Sequence, residues 1–153
     1  MDYTALKSEL LTDPAKVGYA SYMPAGMPAN TAAIANLLNA ATGPGAGVVA
    51  LATIDHDDFV ADILPAVLTT LPTLSTALQT KWNTILAQFS TSSEVLLTNA
   101  TTQTLLSGAV TDGLATQAQV TAWTTRAGSR AEVLFGAGTV AAQSDVMAAL
   151  GVN

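Results

Sequence analysis

The 153-residue chain carries 11 acidic and 5 basic side chains, 1 histidine and no cysteine, giving a formal net charge of −6. This composition excludes disulfides, thiol catalysis, thiolate metal sites and any multi-histidine metal centre. With a pI near 4.3, the chain is also poorly suited to neutralising nucleic-acid phosphates or coating an anionic membrane.

The length fits a single domain with a core of its own. Only 10% of the residues are charged, against about 25% in an ordinary soluble domain. The polar surface must therefore be built from Thr, Ser, Gln and Asn. Small neutral side chains cost little to desolvate, so such a surface suits packing against other subunits. The alternative from composition alone is a neutral, Thr-rich monomer.

In chain order, Asp2 to Leu11 reads as a short helix with Leu6 and Leu10 on one stripe and Tyr3 flanking it. Thr12-Asp13-Pro14 stops it. Acidic residues near the start do not resemble a basic-then-apolar signal peptide. Gly18 to Asn30 is loop-like, anchored by Tyr19, Tyr22, Met23 and Met27. Asn30 is placed to cap a helix over Thr31 to Ala41, where Ile34, Leu37 and Leu38 recur at helical spacing. Gly43 to Gly47 (GPGAG) predicts a turn, and Val48 to Ile54 predicts an extended segment. The whole stretch from Val17 to Ile54 lacks charge, but its Gly and Pro residues leave no apolar run of the roughly 20 residues that a membrane span requires.

Asp55 or Asp57 is placed to cap the next helix, with Asp58 and Asp62 favoured at its positive end. Pro65 is tolerable early in that helix and would kink it further in; Pro72 marks a boundary. Leu74, Leu78, Trp82, Ile85 and Phe89 then predict a core-facing helix of about four turns. Three S/T-x-x-E/Q patterns predict further helix starts: Thr91 to Glu94, Thr116 to Gln119, and Ser129 to Glu132. A last helix spans about Gln143 to Leu150 and ends at Gly151. The expected class is mainly α, about six or seven short helices in one domain over residues 1–153, with an extended loop or arm around 17–54 and a Gly/Pro-rich segment at 42–54.

Asp55, His56, Asp57, Asp58 and Asp62 have the groups to hold a divalent cation or to transfer protons; a helix start rich in acids explains the same residues. The spacing is not that of an EF-hand loop. GPGAG is not followed by Lys-Ser/Thr and precedes an extended run, so it does not read as a phosphate loop. No serine lies in a G-x-S-x-G elbow. Asn99-Ala100-Thr101 matches a glycosylation acceptor by chance spacing. Trp82 and Trp123 lie on apolar stripes and read as core before ligand platform. No cofactor or metal site is expected.

GSRAEVLFGAGTV (Gly128 to Val140) followed by SDVMAAL (Ser144 to Leu150) resembles the ending of a family of small proteins encoded among the head and neck genes of tailed bacteriophages. LKSELLTDPAKVGYASY (Leu6 to Tyr22) resembles that group's L-x-x-E-L-x-x-D-P-x-x-x-G-Y-A start. Asn30 to Asn39 approximates its N-x-x-x-x-A-x-L-L-N pattern, and Leu78 to Leu86 is similar to its middle helix. The resemblance implies a virion structural protein rather than an enzyme, assembled in the host cytoplasm. It implies a head–tail adaptor, a homo-oligomeric ring bound to the portal and to neighbouring neck or tail proteins. It would carry no sequence-specific nucleic-acid site and no membrane contact, with DNA passing through an acidic lumen. The charge-free Val17 to Ile54 stretch is then the candidate arm, and Tyr19, Tyr22, Met23, Met27, Val48, Val49, Arg126 and Arg130 are the interface candidates. The alternatives are a capsid decoration or other tail protein, or, from another class, a small cytoplasmic enzyme or regulator using Asp55 to Asp62.

Overall fold

Helices of fewer than about 12–15 residues are marginal alone in water, and the longest here, α5, has 14 residues; each must be held by packing. The computed structural model describes residues 1–89 and 94–152. It is mainly helical, as the sequence predicts, with two small two-stranded sheets among the described residues. The sequence suggests a single helical domain; the residues group into two compact units, Met1–Val49 with Arg126–Asn153, and Ala50–Thr125. Each has its own hydrophobic core.

Unit 1 is built from both ends of the chain. Its elements are α1 (Tyr3–Thr12), a 3₁₀ turn (Tyr19–Tyr22), α2 (Thr31–Asn39), α8 (Arg130–Phe135) and α9 (Gln143–Leu150). Asp2 caps α1 by accepting from the Thr4 and Ala5 amides, and Asp13 ends it in a left-handed conformation. The Asp13 carboxylate then accepts from the Val17 and Gly18 amides at 2.6 and 2.8 Å, fixing the turn that follows. Asn30 caps α2 through the Ala33 amide. Ser129 and Glu132 form the expected capping box on α8, and Gly151 ends α9 with φ +70°.

α9 packs on α1 and α2, and α2 packs on α8. Leu6, Leu10, Tyr19, Ile34, Leu38 and Val146 are fully buried where they meet. Asn39 joins the two ends of the chain: its side-chain NH₂ donates to the Ala141 carbonyl, and its side-chain oxygen accepts from the Ala141 amide, each at 2.8 Å.

The chain leaves unit 1 along β1 (Gly47–Ala50) and returns along β4 (Thr125–Gly128), and these strands pair. The extended character expected of Val48 to Ile54 is thus present, split between β1 and β2 (Thr53–Asp55). Two glycines permit close approach here. A Cβ at Gly128 would lie 2.6 Å from Val49 Cγ1. Gly45, at φ +84°, would place one 2.6 Å from Val17 Cγ2. GPGAG is therefore a packing turn: side chains of Val17 and Val133 crowd Gly45 and Gly47, while Gly43 is set by its positive φ alone.

Unit 2 starts with β2, which pairs antiparallel with β3 (Glu94–Leu96) in the register Thr53↔Leu96, Ile54↔Val95, Asp55↔Glu94. Asp55 caps the short α3 (His56–Asp58) through the Asp57 amide. The helical path widens into a π-helical stretch, Phe59–Ile63, before α4 (Leu64–Thr70). Pro65 has no N–H to give and its ring would clash with the carbonyl four residues back in a regular α-helix; the wide turn lies where that clash would fall. A 3₁₀ turn at Leu71–Thr73 contains Pro72.

α5 (Thr76–Phe89) is the four-turn helix predicted from its apolar stripe, although Leu74 precedes it. Trp82 is fully buried in the core of unit 2, and the Phe59 and Phe89 rings stack with centroids 5.6 Å apart. α6 (Ala100–Thr111) and α7 (Gln117–Thr124) complete the unit, the latter with the capping box predicted at Thr116 and Gln119.

One helix start is misplaced by the sequence. Thr91 lies outside the described residues, and Glu94 to Leu96, expected as a first helical turn, form strand β3. Pairing to β2 outweighs the local pattern, and α6 begins only at Ala100, capped by Asn99 rather than by Thr91. The Asn99 side chain accepts from the Thr101 amide at 2.8 Å, which accounts for the residues that match a glycosylation acceptor.

Replacing Gly128 with Ala is expected to cost about 1–3 kcal/mol, through overpacking against Val49. In a urea melt G128A should cost less when added to V49A than when added to the unsubstituted chain; an equal cost in both would mean that the close approach is not the cause.

Candidate functional site

The carboxylates of this chain fall into two kinds, those with a cation of their own and those without. Glu9, on the buried stripe of α1, is the most enclosed. Arg130 Nε and Nη2 donate to its two oxygens at 2.8 and 2.7 Å, a bidentate fork between groups 121 residues apart. The Tyr19 hydroxyl lies against the same carboxylate at 3.5 Å. Burial first, then the Glu9 charge, raises the Tyr19 pKa well above that of an ordinary phenol. Glu132 is held by Arg126 and by the amides of Ser129 and Gly138, which together push its pKa down to about 2. Asp112 ends α6 and accepts from Lys81 Nζ at 2.6 Å and Trp82 Nε1 at 2.8 Å, so its pKa is lowered, chiefly by Lys81.

Two of the proposed interface residues are thereby accounted for within the chain. Arg126 and Arg130, named from the sequence as interface candidates, make intramolecular ion pairs with Glu132 and Glu9. Tyr19 and Val49 are core residues, Tyr22 and Met23 are half-buried, and Met27 and Val48 are exposed, each at 66%. Shortening Gly18 to Asn30 would therefore remove core as well as surface. Glu9 and Asp112 are not identified as partners from the sequence. The signal for Glu9 is a charge beside an apolar stripe, which in a buried helix requires a counter-charge.

Among the described residues, eight of the eleven exposed large hydrophobics lie in unit 1, including Leu11, Met27, Val48, Val133, Val140 and Val152. Unit 1 is also nearly neutral, with five acidic and four basic residues, whereas unit 2 holds six acidic residues and only Lys81.

In unit 2, Asp55, Asp58 and Asp62 line a groove of about 290 Å³ whose apolar walls include Ile54, Ile63 and the half-buried Trp123. Trp123 packs partly on the core and partly lines this groove, while Trp82 is core alone. His56 does not line it and faces Asp57 at 3.8 Å. Among the described residues no three His, Asp or Glu side chains converge as metal ligands. No helix of the described residues is long and apolar enough to cross a membrane.

No known protein family, curated protein or solved structure matches the chain.

Replacing Arg130 with Met leaves the Glu9 charge buried without a partner and should cost about 3 kcal/mol in a urea melt; an unchanged midpoint would place the pair among surface ion pairs. A second expectation concerns acid. The pKa values of Glu132 and Asp112 are lower in the folded chain than in the unfolded one, so their stabilisation is complete above the ordinary carboxylate range. That of Glu132 is lost as the pH falls from about 4.5 towards 2, and that of Asp112 is lost below its ordinary range in the same direction. The denaturation midpoint should fall through that window, and E132Q should show a lower midpoint at neutral pH with a shallower decline.

Proposed function

We propose that this protein is a structural subunit of a tailed-bacteriophage virion, a head–tail adaptor that assembles as a homo-oligomeric ring with the portal and with neck or tail proteins. The observation that carries the assembly part is the asymmetry of unit 1: little net charge, and most of the chain's exposed large hydrophobics. Exposed apolar residues on a surface with few charges favour association with other subunits. The phage assignment rests on the resemblance of Leu6 to Tyr22, Asn30 to Asn39, Leu78 to Leu86 and Gly128 to Leu150 to proteins of the head and neck. In this reading unit 1 supplies the contacts between copies, through exposed positions such as Met27 and Val48 rather than through Tyr19, Val49, Arg126 or Arg130. The net negative charge repels DNA passing along a lumen.

Quantitative mass spectrometry of purified particles tests the assignment. A ring on the portal predicts on the order of a dozen copies per particle. The variant M27D/V48D should fold, because both side chains are exposed, yet be depleted from particles at least tenfold. Hundreds of copies would move the protein to capsid decoration or the tail tube, and absence from particles would overturn the virion reading.

A further inference from the structure

Three of the chain's structural carboxylates each have a cation: Glu9 with Arg130, Glu132 with Arg126, Asp112 with Lys81. In unit 2 that uses the one Lys or Arg it contains. The remaining acids are Asp55, Asp57, Asp58, Asp62 and Glu94, and among the described residues none has a Lys or Arg partner. They are also close together: Asp55 and Glu94 are directly opposed across β2 and β3, and Asp55, Asp58 and Asp62 share one groove. Like charges placed opposite one another are unfavourable in a sheet, so this arrangement works against the fold that carries it.

The groove is not simply an acidic surface. Its walls are Ile54, Ile63 and the indole of Trp123, which require an occupant with apolar surface, while the rim requires positive charge. A divalent cation meets neither the apolar walls nor a converging ligand set, since no three ligand side chains come together among the described residues. At about 290 Å³ the groove lies at the lower end of the roughly 300–1,000 Å³ found for small-molecule pockets, room for a side chain or two. Arginine meets both demands: an alkyl stem against the isoleucines, a planar cation able to stack on an indole and to donate to paired carboxylates.

We infer that the groove between β2, the π-helical stretch and α7 docks a basic segment of a protein partner, with an arginine seated between Trp123 and the carboxylates of Asp58 and Asp62. The inference concerns unit 2 and the isolated protein, so it stands or falls separately from the count of copies per particle.

Titration of the ¹⁵N-labelled full chain, at physiological salt, with a twelve-residue peptide alternating Arg and Leu tests it. The Trp123 indole N–H should shift saturably while the Trp82 indole, bonded to Asp112, stays in place. The peptide with Glu for Arg should give no shift. D58N/D62N, which alters only exposed side chains, should weaken binding at least tenfold with the rest of the spectrum preserved. Shifts that do not saturate, or that D58N/D62N leaves unchanged, would overturn the proposal. So would spermine or Mg²⁺ shifting Trp123 when the peptide does not, which would assign the groove to small cations.

Discussion

The Glu9–Arg130 fork is the constraint on which unit 1 depends. Glu9 belongs to the first helix and Arg130 opens the eighth, and both sit where water is largely excluded. A single charge there would be costly; two charges held bidentately, with a phenol against one oxygen, are tolerable only in one arrangement of α1, α8 and the 3₁₀ turn that carries Tyr19. The apolar contacts of α9 with α1 and α2 bury side chains of this core and are favourable, but many arrangements of short amphipathic helices would bury similar area. The ion pair, with the Asn39–Ala141 clamp, selects among them.

Charge is used differently in the two units. In unit 1, both arginines are consumed in holding the fold, and the surface left over is nearly neutral with exposed Leu, Met and Val side chains. In unit 2, Lys81 secures α5 to the end of α6, and the other acids, on β2, β3 and the helical segment after β2, stay without a Lys or Arg partner among the described residues. The same sparse set of charged residues thus gives one unit a surface suited to apolar contact and the other a surface suited to cations. A composition read over the whole chain averages these into a mild acidity and conceals the contrast.

The parts of this structure legible in the sequence are those governed by contacts within a few residues. The caps at Asn30, Asp55, Thr116 and Ser129 and the stripe of α5 follow from hydrogen-bonding chemistry and periodicity that act locally. The failure at Glu94 has the opposite cause: its N3-like spacing from Thr91 is a local signal, and strand pairing with residues some forty positions earlier overrides it. The division into two units was equally hidden, because it depends on residues at the two ends of the chain sharing a core. For the site, the acidic cluster was visible as composition, but its alignment with Trp123 and Glu94 required the fold. Arg126 and Arg130 stood out as rare cations in a turn, and only their distances to Glu132 and Glu9 showed that both are already engaged.

The placement of unit 2 between β1 and β4 imposes an order on the birth of the molecule. α1 and α2 are synthesised before unit 2, yet their packing partners α8 and α9 come after it. Unit 2, whose residues are contiguous, can complete its core while the ribosome is still adding the C-terminal segment. Until then Leu6, Leu10, Ile34 and Leu38 have no core to enter, and Glu9 has no counter-charge. The N-terminal segment therefore spends much of translation as an open, mixed polar and apolar chain, and the arrival of Arg130 and Val146 lets it close.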